Sequence, residues 1–117
     1  MQIQGTWWGK DGMQAVWHDQ TVELDLVANG TTGYQWVLEL SGDVIKIQKE
    51  DYVVNSDMAG APGQKRFWLN GSAEGLTTVE AYYMRTWEPK AENSLIFKLT
   101  IQTDKQGKII RVTQAPI

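Results

Sequence analysis

An all-β fold, a sandwich or barrel of antiparallel strands, is what this chain predicts, and three observations carry the prediction. Apolar residues recur with period two over most of the sequence. Turn residues interrupt that rhythm every eight to twelve positions. No segment carries the 3.6-residue apolar stripe of an amphipathic helix. Alternation of this kind, cut by polar and Gly-rich turns, is the pattern of short half-buried strands.

The elements follow in order. Strand β1 is expected near 2–8 and stops at the Gly9-Lys10-Asp11-Gly12 turn. Strand β2 (about 13–18) leads through Asp19-Gln20 into β3 (20–28), where Val22, Leu24 and Leu26 share one face and Glu23 and Asp25 the other. In β4 (34–40), Tyr34, Trp36, Leu38 and Leu40 fall on one side, which makes Trp36 a core candidate. After Ser41-Gly42-Asp43 comes β5 (44–54), with Val44, Ile45 and Ile47 and then Tyr52, Val53 and Val54. Strands β6 (65–70) and β7 (76–85) flank a turn over Gly71 to Gly75. Strand β8 (95–103) is followed by Asp104-Lys105-Gln106-Gly107 and β9 (108–113). The two terminal strands, β1 and β9, are expected to cover exposed sheet edges, which limits aggregation.

Composition bounds the function. The 117 residues are 42% hydrophobic and 21% charged, as expected of one globular domain over 1–117. A net charge of −3 with no Lys/Arg block excludes the clustered basic face that nucleic acid or an anionic membrane surface needs. No apolar run approaches the roughly 20 residues of a membrane-spanning helix. There is no cysteine, which removes disulfides, thiolate zinc sites and a cysteine nucleophile. As written the chain fits the cytoplasm, or the periplasm or cell exterior if a leader has been removed.

Enzymatic constellations are missing as well. His18, the only histidine, is expected on β2 and away from the loops discussed below. The fourteen Asp and Glu residues are scattered over outward strand positions and turns, with no spacing that pairs an acid with a base. No nucleophile elbow, P-loop or dinucleotide fingerprint occurs. The expectation is a protein that is no enzyme and has no cofactor or metal.

Strand parity concentrates what remains. If successive strands run up and down, the β3–β4, β5–β6 and β7–β8 loops emerge at one end of the sandwich, as the B–C, D–E and F–G loops of immunoglobulin-type domains do. These three are the connections that are not short bland turns. The first holds Asn29-Gly30-Thr31-Thr32-Gly33, whose glycines permit close backbone approach and whose hydroxyls lose little entropy. The second, residues 55–64, carries the uncharged tip Met58-Ala59-Gly60-Ala61-Pro62-Gly63, suited to lying flat against another chain. The third opens with Met84-Arg85-Thr86-Trp87-Glu88-Pro89, where Arg85 and Trp87 are of the types enriched at interface hot spots. Taken singly, each also reads blandly: a Gly-rich turn, a surface loop, and a cation–π pair or salt bridge closing the sandwich rim. Asn29-Gly30-Thr31 and Asn70-Gly71-Ser72 match the glycosylation sequon, and a glycan on Asn29 would obstruct this end.

Together the three loops resemble the chagasin family of cysteine peptidase inhibitors. That family's signature is Asn-Pro-Thr-Thr-Gly-Tyr/Phe, a Gly-x-Gly-Gly-type motif and Arg-Pro-Trp on the three loops. Here they read Asn29-Gly30-Thr31-Thr32-Gly33-Tyr34, Gly60-Ala61-Pro62-Gly63 and Arg85-Thr86-Trp87, within a likeness over about 13–103. Gly30 and Thr86 stand where the family usually has Pro, and each loses a φ-locking residue worth roughly 0.4–1 kcal/mol. The resemblance implies an immunoglobulin-like antiparallel β-sandwich of about seven main strands, acting as a monomer. It also implies a papain-like, cathepsin-type cysteine protease as partner, held reversibly by Asn29 to Tyr34, Gly60 to Gly63 and Arg85 to Trp87. The competing class is a carbohydrate- or ligand-binding sandwich or an adhesion domain. Six tryptophans are many for this length, and exposed Trp7, Trp8 or Trp87 could stack on a sugar. Loops converging at one end favour the inhibitor; an aromatic platform on a flat sheet face favours the sugar.

Overall fold

The computed structural model describes residues 4–9, 13–28, 33–54, 63–89 and 94–115. Its strands are β1 (Gln4–Trp8), β2 (Gln14–His18), β3 (Thr21–Ala28), β4 (Gln35–Leu40), β5 (Ile45–Val54), β6 (Gly63–Gly71), β7 (Gly75–Met84), β8 (Leu95–Thr103) and β9 (Ile109–Gln114). All pairings are antiparallel. One sheet runs β1-β2-β3-β6-β5 and the other β4-β7-β8-β9. Without the two terminal strands, this is the A-B-E-D and C-F-G division of an immunoglobulin-like sandwich.

Alternation explains which face of each strand is buried. Val22, Leu24, Leu26 and Ala28 of β3 point inward, as do Phe67 and Leu69 of β6. Facing them from the second sheet are Val79 and Ala81 of β7 and Phe97, Leu99 and Ile101 of β8. Burial of each Val, Leu, Ile or Phe among them contributes about 1.5–3 kcal/mol, so these rows hold the layers together. Trp36 lies in this core as expected, and its indole Nε1 donates to the Val27 carbonyl at 3.0 Å.

The terminal strands do cover edges. Strand β1 pairs with β2 from Gln4↔His18 to Trp8↔Gln14, and β9 pairs with β8. Trp7 of β1 turns inward and meets Phe97 with ring centroids 5.2 Å apart. Strand β5, in contrast, is less buried than its apolar residues suggest. A register shift between Ile47 and Lys49 marks a bulge at this edge, and among its described side chains only Ile45 is buried, with Ile47 and Tyr52 about 40% exposed. Edge strands lack a neighbour on one side, so apolar side chains there stay partly wet. Strand β6 begins at Gly63, two residues earlier than expected, because Gly63 pairs with both Ala28 and Val54.

Short turns knit together the end that carries His18. The Ile109 amide donates to the Asp19 carbonyl at 2.6 Å, and Gln20 Nε2 to the Gln106 carbonyl at 2.9 Å. The Asp104 carboxylate accepts from the Gln106 and Lys108 amides, both at 2.9 Å. His18 is exposed and lies 3.3 Å from Asp19, at the end of β3 away from Ala28.

Two threonines are buried between the sheets, and they differ. Thr103 Oγ1 donates to the Ala73 carbonyl at 2.6 Å, whereas Thr77 Oγ1 has no hydrogen-bond partner among the described residues. A buried unsatisfied hydroxyl costs about 1–3 kcal/mol. Thr77→Val, nearly the same shape, is expected to raise unfolding free energy by about 1 kcal/mol in urea titration. Destabilisation of that size by the substitution would mean the hydroxyl is satisfied.

Candidate functional site

The chain reversals after β3, β5 and β7 all fall at the end opposite His18, since β3 ends at Ala28, β5 at Val54 and β7 at Met84. Register confirms this: Ala28 lies across from Gly63, Gly63 from Val54, and Gln35 from Met84. Of the expected site residues, Asn29, Gly30, Thr31, Thr32, Gly60, Ala61 and Pro62 lie outside the described residues. Gly33, Tyr34, Gly63, Arg85, Thr86 and Trp87 are described, and most of them meet.

Gly33 is the pivot. Its φ of +79° is in the left-handed region, which glycine enters without steric cost. A Cβ built there would stand 2.8 Å from Trp87 Cη2, so the indole rests against the Gly33 backbone. Trp87 is nonetheless 71% exposed, with the rest of its ring open to a partner. Next to it, the Arg85 guanidinium lies 4.9 Å from the Tyr34 ring centroid, and Arg85 Nη1 is 3.4 Å from Glu88 Oε1. The described parts of the β3–β4 and β7–β8 loops are therefore joined twice, by Trp87 on Gly33 and by Arg85 on Tyr34. Arg85 makes the rim-closing contact that an isolated reading of the loop also allows. About 42% of its side chain remains exposed.

Beneath these residues is a ring that sequence reasoning passed over. Tyr83 stacks on Tyr34 at 5.4 Å and 24°, and also meets Trp36 at 4.9 Å in a tilted contact. Trp36 in turn meets Phe97 at 6.0 Å. The signal was available, because Tyr83 is in phase with inward Val79 and Ala81 on β7. At the base of the third loop, Tyr52 closes over Gly63, whose hypothetical Cβ would lie 2.7 Å from the Tyr52 hydroxyl. Lys65 Nζ pairs with Glu50 Oε1 at 2.8 Å beside it.

The sheet faces offer no comparable gathering. Trp8 is 68% exposed on the outer face of the five-stranded sheet, in a row with Gln14, Asp25 and Arg66. Trp68 shares that face but stands three strand spacings away, about 14 Å. Between them run the hydrogen bond from Gln14 Nε2 to Asp25 Oδ2 (3.1 Å) and the Asp25–Arg66 ion pair (3.0 Å), and Lys49 lies over Trp68. The two rings form no continuous platform. No cluster of three or more His, Cys, Asp or Glu suited to a metal occurs among the described residues.

Fold and site thus define an immunoglobulin-like domain that presents loops from one end. The family model described as "Chagasin family peptidase inhibitor I42" matches residues 16–101, from within β2 to within β8. This chain belongs to the chagasin family of peptidase inhibitors. Chagasin of Trypanosoma cruzi is 25% identical over 91 residues, covering 73% of this chain and 83% of that protein. Amoebiasin-2 of Entamoeba histolytica is 28% identical over 86 residues, covering 69% and 70%. The crystal structure of the cysteine protease inhibitor EhICP2 from Entamoeba histolytica superposes with a TM-score of 0.56 at 26% identity, covering 68% of this chain and 73% of that one. Strand β9 and the whole of β1 lie outside the matched region.

Gly33 and Gly42 make a controlled pair, since both have positive φ but no atom lies within 4 Å of a Cβ on Gly42. Gly42→Ala is expected to cost about 1 kcal/mol from backbone strain alone. Gly33→Ala should cost about 1 kcal/mol more, because Trp87 must also move, and should alter tryptophan fluorescence. Equal urea midpoints for the two variants would show that the Trp87–Gly33 contact carries no stability.

Proposed function

We propose that this protein is a single-domain, monomeric inhibitor of papain-like, cathepsin-type cysteine proteases, and that the β3–β4, β5–β6 and β7–β8 loops reversibly occlude the active-site cleft. The observation that carries the reading is the convergence of Gly33, Tyr34, Arg85 and Trp87 at the loop end of a peptidase-inhibitor family member. The solved Entamoeba relative is named as a cysteine protease inhibitor, which supports that protease class.

Thr31, Thr32 and Gly33 would sit over the catalytic Cys–His pair. Gly60 to Gly63 would run along the substrate-side wall, and Arg85 and Trp87 would pack on the leaving-group side against aromatic residues. Inhibition then comes from occlusion, since the wedge offers no scissile carbonyl at the roughly 3–3.5 Å reacting distance a cleaved substrate reaches. Trp87 is suited to the anchor role: one part of its ring is held by Gly33 while the rest is open. A ring held beforehand loses less freedom on binding. The contact should be of standard size, on the order of 1,600 Å² in total.

Titration of papain and a cathepsin L-type enzyme, followed with a fluorogenic peptide, is expected to give reversible inhibition in the nanomolar range. Trp87→Ala should weaken it by about 2 kcal/mol or more, roughly thirtyfold. No inhibition by folded wild-type protein at micromolar concentration would overturn the reading. A Trp87→Ala loss below about 0.5 kcal/mol would remove that residue's role.

A further inference from the structure

The ring behind the loops has a role that their own chemistry does not supply. We propose that Tyr83 of β7 is a positioning residue for inhibition: its ring, stacked under Tyr34, holds Gly33 and Tyr34, and with them Arg85 and Trp87, in the arrangement that meets the protease. The inference rests on the inhibitor reading above and assigns the site a residue outside the three loop motifs.

The geometry is a column of rings that rises from the core to the loop end. Phe97 and Trp36 are buried, Tyr83 is partly buried, Tyr34 is 37% exposed, and the Arg85 guanidinium lies against Tyr34. Each member packs on the one beneath it: Phe97 and Trp36 are held by close packing, and Trp36 also by the hydrogen bond its indole donates to the Val27 carbonyl. Tyr34 immediately follows Gly33, so its placement also sets the backbone on which Trp87 rests. Tyr83 is thus the link between the rigid core and the Gly33–Tyr34 and Arg85–Trp87 segments. Contact with two rings gives it directional preference, because aromatic pairs favour particular offsets and tilts over mere proximity. An aliphatic side chain of similar volume would fill the space without presenting a flat face, and Tyr34 would lose the ring it stacks on.

The test uses Tyr83→Met, which preserves apolar bulk with a flexible chain. Tyr83→Phe keeps the ring, and Ile101→Val is a control with a core loss at β8, far from the loops. Inhibition of papain by Tyr83→Met is expected to weaken about tenfold, while Tyr83→Phe stays within about twofold of wild type. Ile101→Val should lower the melting temperature and leave inhibition unchanged. In a Tyr34→Ala background, Tyr83→Met should add less than about twofold, because the relay is already cut. The proposal is overturned if Tyr83→Met inhibits like wild type, or if Tyr34→Ala and Tyr83→Met multiply as independent effects. It is equally overturned if inhibition only tracks melting temperature across all variants, Ile101→Val included. Should Tyr83→Met fail to fold, Tyr83→Leu and the Tyr83→Phe rescue give the same comparison. Failure of the wild-type protein to inhibit would instead remove the inhibitor reading itself.

Discussion

The packing of Val22, Leu24, Leu26, Phe67 and Leu69 against Val79, Ala81, Phe97, Leu99 and Ile101 is the constraint on which the remainder depends. A strand alternates its side chains with a period of two, so one buried residue decides the facing of every other residue on that strand. Slipping β7 by one position would bury Glu80 and Tyr82 and expose Val79 and Ala81. The cost of that exchange locks the register. Once locked, it also determines what stands at the strand ends, where burial fades and binding chemistry can begin. Tyr34 and Trp36 face inward because Leu38 does, and Tyr83 because Ala81 does. The aromatic column at the loop end is therefore a continuation of core parity into partly exposed space.

How the two ends of the sandwich are stabilised differs in kind. At the His18 end, turns are closed by backbone and carboxylate hydrogen bonds, such as those of Asp104 with the Gln106 and Lys108 amides. At the loop end the Glu88 amide closes one backbone turn by donating to the Arg85 carbonyl at 3.0 Å. The other described contacts there are made by side chains: Trp87 on the Gly33 backbone, Arg85 on the Tyr34 ring, Tyr52 on Gly63. Hydrogen-bonded turns leave few polar groups free for a partner. Ring and guanidinium contacts hold a loop while leaving faces exposed, and 71% exposure of Trp87 illustrates the difference. A scaffold with one closed end and one open end directs its partner to the open one.

Much of this was legible from residue order. Alternation in β3, β6 and β8 located those strands to within two residues, and parity put the three unusual loops at one end. Trp36 was recognisable as core from its phase with Leu38 and Leu40. Two things were hidden because they depend on long-range contacts. The bulge after Ile47 breaks the phase of β5, so a run of apolar residues there looked more buried than an edge strand allows. Arg85 and Trp87 looked alike as anchors, yet Arg85 is drawn back onto Tyr34 and Glu88, while Trp87 touches Gly33 and keeps most of its surface exposed. Local sequence carries no record of which ring a guanidinium will find.

The contacts at Arg85 and Trp87 bear on the departures from the family motif. Thr86 occupies a position where Pro would lock φ, a change worth roughly 0.4–1 kcal/mol in chain entropy. It is flanked on both sides by held residues, Arg85 against Tyr34 and Trp87 against Gly33. A partly exposed cation–π contact contributes about 0.5–1 kcal/mol, the same size as the missing proline effect. The two devices restrict the loop differently: proline narrows the unfolded and free ensembles locally, whereas the paired contacts tie the loop to its neighbour. Order in the β7–β8 loop is then conditional on order at Gly33 and Tyr34, and the two loops act as one surface. Flexibility admitted at Thr86 is removed by its neighbours only while the column beneath Tyr34 stands.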